Sequence, residues 1–456
     1  MNSVAQAAWT AYDSQLVLYC IVALLAIVVL ISVLRIAPFL AILLGAFGVG
    51  LAVGLPLDKL GHSFSQGAGG ILGDAGLIIA LGAMLGALLA ESGGADRIVN
   101  SLLNKAHGAA LPWVMAGVAM IVGLPLFFEV GLVMVVPIIF VMARRSGLPI
   151  LAVGIPALAG MTTLHALVPP HPGPLIAISV LHADLGMTMA LGLLTAIPAV
   201  ILAGPVYARW LAPRMPIAEP EELGQLFTST RDANRLPSFA VSIFIILLPV
   251  ALMLGRTVAR IALAKEGLPY AVLDFLGEPI VALSVAVLAA IALLGWAQGT
   301  SRDAVGKTLR RALPPIAGLL LTIGAGGGLK QVLLAAGMSD TISKIATQSH
   351  MPLLLLAWIV AVALRQATGS ATVATTTTAG IIAPLAMGLS TTHGALLALS
   401  IGAGSVFFCH VNDAGFWMVK EYFGLSLKQT FAVWSALQTI VSVVGLVVTF
   451  GLWQLL

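Results

Sequence analysis

Charge is scarce in this chain. Only 9% of its 456 residues are Asp, Glu, Lys or Arg, against about 25% in soluble globular proteins, and the mean hydropathy is +1.07. That scarcity excludes a soluble domain and implies a polytopic, all-α integral membrane protein. Cysteine is nearly missing as well: Cys20 sits inside an apolar run and Cys409 is remote from it, which leaves a disulfide framework without support. Both are expected as small core residues. The formal net charge of +4 is spread over loops with no Lys/Arg-rich block, so nucleic acid is not expected as a partner. The first apolar run, 16–34, lacks a basic leader and an A-x-A exit, and is expected to stay as a membrane helix.

Signatures of other chemistry are also absent. Gly324-Ala-Gly-Gly-Gly-Leu-Lys330 lacks the G-x-x-x-x-G-K-[ST] spacing and lies in an apolar span, so helix packing explains it better than phosphate binding. Neither H-E-x-x-H nor G-x-S-x-G occurs, which argues against an intramembrane enzyme. Cys409-His410 stands without ligand-like neighbours, so neither a metal nor a cofactor is expected.

What the sequence does contain is a set of interrupted apolar runs. Residues 112–143 form two apolar arms around Gly123-Leu-Pro-Leu-Phe-Phe-Glu-Val-Gly131. Arms of about 11–13 residues reach only about 17–20 Å as helix, short of the ~30 Å hydrocarbon layer. A re-entrant hairpin is therefore expected, with Glu129 at its tip. The next run, 149–182, is broken by Pro169, Pro170, Pro172 and Pro174, which remove amide donors and clash with helical carbonyls. The most polar segment, 209–237, is expected as a cytoplasmic connector. Beyond it the pattern returns: a hairpin over 352–389, interrupted by Arg365-Gln-Ala-Thr-Gly-Ser-Ala-Thr372, and a helix over 394–423 broken at His410-Val-Asn-Asp-Ala-Gly415.

With spans at 16–34, 37–54, 70–92, 186–208, 238–255, 279–297, 313–335 and 429–453 and a polar loop at 93–110, about ten transmembrane helices are expected. Gly82 pairs with Gly324, Pro112 with Pro352, and Val168 with Val411, at offsets of 240–243. Five spans separate equivalent elements, an odd number, so residues 1–208 and 238–456 are expected as two inverted repeats. Paired broken segments in inverted halves point to a secondary-transporter site. With both termini outside, fifteen Lys/Arg fall on the cytoplasmic side and five outside, with Lys330 and Arg365 inside membrane segments, as the positive-inside rule requires.

The polar residues at these breaks are the candidate site. An ionised carboxylate near mid-membrane is costly and is usually functional or paired, so Glu129 is expected to carry a proton, with an ion pair to Arg365 as the alternative. Arg365 offers a planar fork for a substrate carboxylate, or else snorkels to the interface. Thr368, Ser370 and Thr372, with Gly369 permitting close approach, are expected to hydrogen-bond hydroxyl groups; tight packing is the competing account, and the favoured one for Thr375–Thr378. His165 and His171 bracket one unwound segment, while Asn412 and Asp413 occupy the other. Of these, His165 and Asp413 are proton-relay candidates and His171 and Asn412 ligand candidates.

The three strings 123–131, 167–174 (Leu-Val-Pro-Pro-His-Pro-Gly-Pro) and 366–374 (Gln-Ala-Thr-Gly-Ser-Ala-Thr-Val-Ala) resemble the gluconate permease family of bacterial proton symporters, and the likeness runs end to end in length and hydropathy. The family resembles a branch of the ion transporter superfamily, whose members pair two re-entrant hairpins with two broken helices and usually dimerise. The resemblance implies proton-coupled uptake of gluconate or a related sugar acid across the bacterial inner membrane, by a homodimer. An ion exchanger such as a sodium/proton antiporter is the alternative.

Overall fold

The computed structural model describes residues 9–104, 106–123, 128–169, 171–217, 236–263, 267–347 and 351–456, which are predominantly helical and include no strand. Residues 124–127 of the expected break at 123–131, the residue Pro170 and most of the expected connector (218–235) lie outside the described residues.

Seven helices among the described residues are long and apolar enough to cross a membrane, or eight if one bent pair is a single span. About ten were expected; four further apolar helices of 10–17 residues fall short of that length. The apolar runs are cut into shorter pieces than hydropathy suggests: Pro38–Ala52 has 15 residues and Leu353–Thr368 has 16. Phe128–Ser146 has 19 but carries Glu129, Arg144 and Arg145. It is also longer than the arm expected there, reaching about 28 Å at 1.5 Å per residue.

The bent pair corrects one expectation. Residues 93–110 are not simply a loop: Gly94–Leu103 is a helix set at 69° to Leu77–Glu91. Ala95, Ile98 and Val99 are buried on it and Leu102 is partly buried, a spacing that gives one apolar face. Asp96 at its start receives Arg145 Nη2 at 2.5 Å, and Arg145 Nη1 donates to Asn100 Oδ1 at 2.8 Å. Gly93, at φ 76°, supplies the left-handed turn between the two helices. The third span likewise begins earlier than residue 70, because Leu57–Ile71 is helical and runs through a π turn, Leu72–Gly76, into Leu77–Glu91.

Packing places three groups of helices around a common centre. Pro314–Ala335 lies against Leu57–Ile71 and Pro38–Ala52; Ile150–Leu167 lies against Leu111–Gly123 and Phe128–Ser146; and Thr391–Gly404 lies between Leu353–Thr368 and Ala436–Leu455. The first contact is backbone on backbone. A Cβ on Gly67 would stand 2.2 Å from Gly327 O, and one on Gly327 would stand 2.5 Å from Gly67 O. The glycine-rich run before Lys330 thus serves close helix packing, as expected. The opening helix is fastened by a buried charge: Asp13 Oδ2 takes Lys344 Nζ at 2.8 Å and Asp13 Oδ1 takes Thr341 Oγ1 at 2.7 Å.

Candidate functional site

The second half breaks its helices where the sequence places glycine and polar residues. Leu353–Thr368 runs through Arg365 instead of stopping before it, and ends at Gly369, whose φ of 66° suits glycine. Ser370 then caps the next helix, Ala371–Ile382, its Oγ accepting from Val373 N. Thr391–Gly404 stops five residues before the expected break at His410, and Ala414–Phe423 resumes with Asp413 as its N-cap, accepting from Phe416 N at 2.9 Å. Short side chains with a free oxygen satisfy the orphan amides of a helix start, so both breaks follow from local chemistry.

The two breaks meet. Asn412 Nδ2 donates to Gln366 O at 2.7 Å, and Gln366 Nε2 donates to Phe407 O at 2.7 Å. A Cβ on Gly369 would lie 2.1 Å from Asn412 O, so only glycine lets the two backbones touch. Across this contact Arg365 Nη2 pairs with Asp413 Oδ1 at 2.8 Å. The same Nη2 also donates to Cys409 Sγ, and Asp413 Oδ2 accepts from Trp434 Nε1 at 3.1 Å. The partner of Arg365 is therefore Asp413. Glu129, the alternative partner, makes no ion pair among the described residues.

Around this junction lies a cavity of about 110 Å³, room for several water molecules. Glu129, in the first turn of Phe128–Ser146, enters it from one side, and Arg365 and Asp413 from another. Thr368, Gly369, Ser370 and Thr372 line it at the second-half break, together with Asn412. His165, in the last turn of Ile150–Leu167, completes the set. Nine of the ten candidate residues thus share one cavity, although they come from four separate stretches of sequence.

His171 is the exception. It is buried, and its Nε2 lies 3.0 Å from Gly123 O, where a helix end leaves carbonyls without intrahelical donors. Its ring centroid is 5.0 Å from that of His165. It touches the site through that neighbour. Thr368 is also partly committed, since its hydroxyl donates to Leu364 O at 2.7 Å.

Several cavity residues escaped the sequence reading. Thr162 donates to Gln438 Oε1 at 2.9 Å and both line the cavity. Phe128 and Trp434 close one wall, with ring centroids 4.6 Å apart. Lys330 lines it from Pro314–Ala335. Each of Lys330, Thr162 and Gln438 is a polar interruption of an apolar span, the same signal that singled out Glu129. Cys409, expected as a core residue only, is buried against Arg365.

A walled cavity with charged groups of both signs, at the meeting of two helix breaks, is suited to binding a polar solute inside a membrane protein. The GntP family permease pattern matches residues 15–456. The chain belongs to the GntP permease family. As a GntP-family permease it is a multi-pass membrane transporter and not an enzyme. It is 44% identical over 436 residues to a gluconate permease of Pseudomonas aeruginosa, covering 96% of this chain and 97% of the relative. Over 411 residues it is 43% identical to a high-affinity gluconate transporter of Escherichia coli, covering 90% and 92%. The Gnt-II system L-idonate transporter of the same organism is 38% identical over 416 residues, covering 90% and 93%. Among solved structures, the YdaH transporter of Alcanivorax borkumensis superposes with a TM-score of 0.43 at 14% identity over 98% of both chains, a likeness too distant to argue from.

Proposed function

We propose that this permease imports gluconate or a related sugar acid across the bacterial inner membrane together with protons, by exposing the central cavity alternately to either side. The single observation that carries this reading is the shared cavity, in which Glu129 faces the Arg365–Asp413 pair at the junction of two helix breaks. Relatives named for gluconate and L-idonate, two epimeric aldonates, support the substrate class. In this account Glu129 carries the proton, with Asp413 and His165 as its relay. Arg365 and Asn412 hold the carboxylate end, and Thr368, Gly369, Ser370 and Thr372 meet the hydroxyl groups. His171 positions His165.

The architecture that serves this cycle is two inverted repeats, 1–208 and 238–456, joined by a cytoplasmic connector at 209–237. Hairpins at 112–143 and 352–389 enter from opposite faces, and broken helices at 149–182 and 394–423 cross between them. Helix length supports one arm of each hairpin: 13 residues in Leu111–Gly123 and 12 in Ala371–Ile382 reach about 20 and 18 Å, against a ~30 Å layer, while the other arms, Phe128–Ser146 and Leu353–Thr368, are longer at 19 and 16 residues. Both termini face the periplasm, and the working unit is a homodimer.

The test is uptake of labelled gluconate into proteoliposomes holding the full chain, with the outside made acidic. Accumulation above equilibrium that collapses with a protonophore is expected. Accumulation indifferent to the protonophore would overturn proton coupling, and cation-driven proton efflux without any organic solute would instead favour an ion exchanger.

A further inference from the structure

Lys330 has no place in the account above, yet it faces the same cavity. It lies in Pro314–Ala335, a 22-residue apolar helix, where a cation costs several kcal/mol and marks a solute path more often than not. Ile323, Gly326, Gly327 and Lys330 all line the cavity. Their spacing of three, four and seven puts them on one helix face. Gly326 lowers that wall, where an added Cβ would have only the Asn412 backbone beside it, its O at 3.5 Å, while Gly327 packs on Gly67; Lys330 stands at its end, half-buried. Arg365 lines another wall of the same cavity.

The lysine, arginine, aspartate and glutamate side chains that line the cavity are Lys330, Arg365, Asp413 and Glu129. With Glu129 ionised, two cations face two carboxylates and the net charge is zero. With Glu129 protonated the net charge is plus one, which a monoanion cancels and a dianion overshoots to minus one. Unbalanced charge inside a membrane protein is costly. The empty state and the state holding one proton and one monoanion are therefore the two that close without penalty.

We propose that Lys330 binds the substrate carboxylate alongside Arg365, and that this charge balance confines the cargo to aldonates, with one carboxylate, against aldarates, with two. The inference rests on the import reading above and on Glu129 as its proton carrier. An ammonium group suits the task because its three donors are not fixed in a planar fork. It can hold a carboxylate oxygen and a neighbouring hydroxyl together, and release both.

The experiment is competition against labelled gluconate uptake in proteoliposomes of the full chain at neutral pH. Unlabelled glucarate should compete at least about tenfold more weakly than unlabelled gluconate. Lys330→Gln, matched to the parent protein for inserted amount, should raise the half-saturation concentration for gluconate by more than about tenfold, and Lys330→Arg by less. Equal competition by glucarate overturns the charge balance and needs no variant. An unchanged half-saturation in well-inserted Lys330→Gln overturns the binding role. A parent protein that takes up no gluconate defeats the import reading itself, a result distinct from either.

Discussion

Arg365 Nη2 lies 2.8 Å from Asp413 Oδ1, with the arginine side chain 4% exposed and the aspartate 11%. The pair ties the end of one helix to the start of another, since Asp413 also caps Ala414–Phe423 and accepts from Trp434. Removing one partner leaves the other charge buried and uncompensated.

Asp413→Asn should therefore cost about 3–5 kcal/mol, and the double variant Arg365→Gln/Asp413→Asn should recover much of that loss. Apparent melting temperatures of the detergent-solubilised proteins check this. Additive losses would show that the two side chains are energetically independent.

Arg365→Lys keeps the charge but loses the fork that can serve Asp413 and a ligand together. The half-saturation concentration for gluconate should rise more than about tenfold. A value equal to that of the parent protein would remove Arg365 from the ligand.

Glu129→Gln should abolish gluconate accumulation driven by a proton gradient while leaving exchange of labelled for unlabelled gluconate across the membrane. The glutamine amide keeps the side chain's size but cannot carry a proton. Retained accumulation would assign proton transfer to another group, with Asp413 and His165 next to be tested.

Gly369→Ala meets two obstacles, a φ of +66° and a Cβ 2.1 Å from Asn412 O. The backbone alone costs about 1–2 kcal/mol, and the clash adds to it. Gly380→Ala, in a helix with nothing within 4 Å of the new methyl, should be neutral or stabilising by up to about 1 kcal/mol. The two melting temperatures, measured side by side, should move in opposite directions or differ by several degrees.

Asp274 lies in the short helix Leu268–Leu276, outside the membrane-spanning segments. Arg260, and then Arg256, hold its carboxyl below the ordinary carboxylate value. A depressed folded-state pKa contributes stability above the unfolded value, and that stability is lost as pH falls through the folded one. The gap in melting temperature between the parent and Asp274→Asn should be constant near neutrality and shrink in the acid range. Because the group is partly exposed, the gap should reflect less than about 1 kcal/mol.

Among the described residues the sequence shows to within several positions where the helices break, because proline strings, glycine and capping residues act locally and against an apolar background they are conspicuous. It also shows which polar residues gather, because Glu129, Arg365 and Asp413 each violate the surrounding hydropathy. What it hides is pairing. Nothing in the chain says that Arg365 chooses Asp413 over Glu129, since that choice is made by two helix ends meeting in space. Lys330 was concealed differently: the glycines before it read as a packing surface, which they are, and its own charge passed unused. The helix Gly94–Leu103 read as a loop because Asp96 and Arg97 masked an apolar face with helical spacing.

The contact at Gly369 reaches beyond folding. A carrier that shifts its preference from one aldonate to another has to change its walls, and here one wall admits no side chain of any kind. Divergence in cargo must then run through positions such as Thr372, Lys330 and Gln438, whose side chains face the cavity, while the bare backbone at 369 stays as the fixed hinge pin about which they vary.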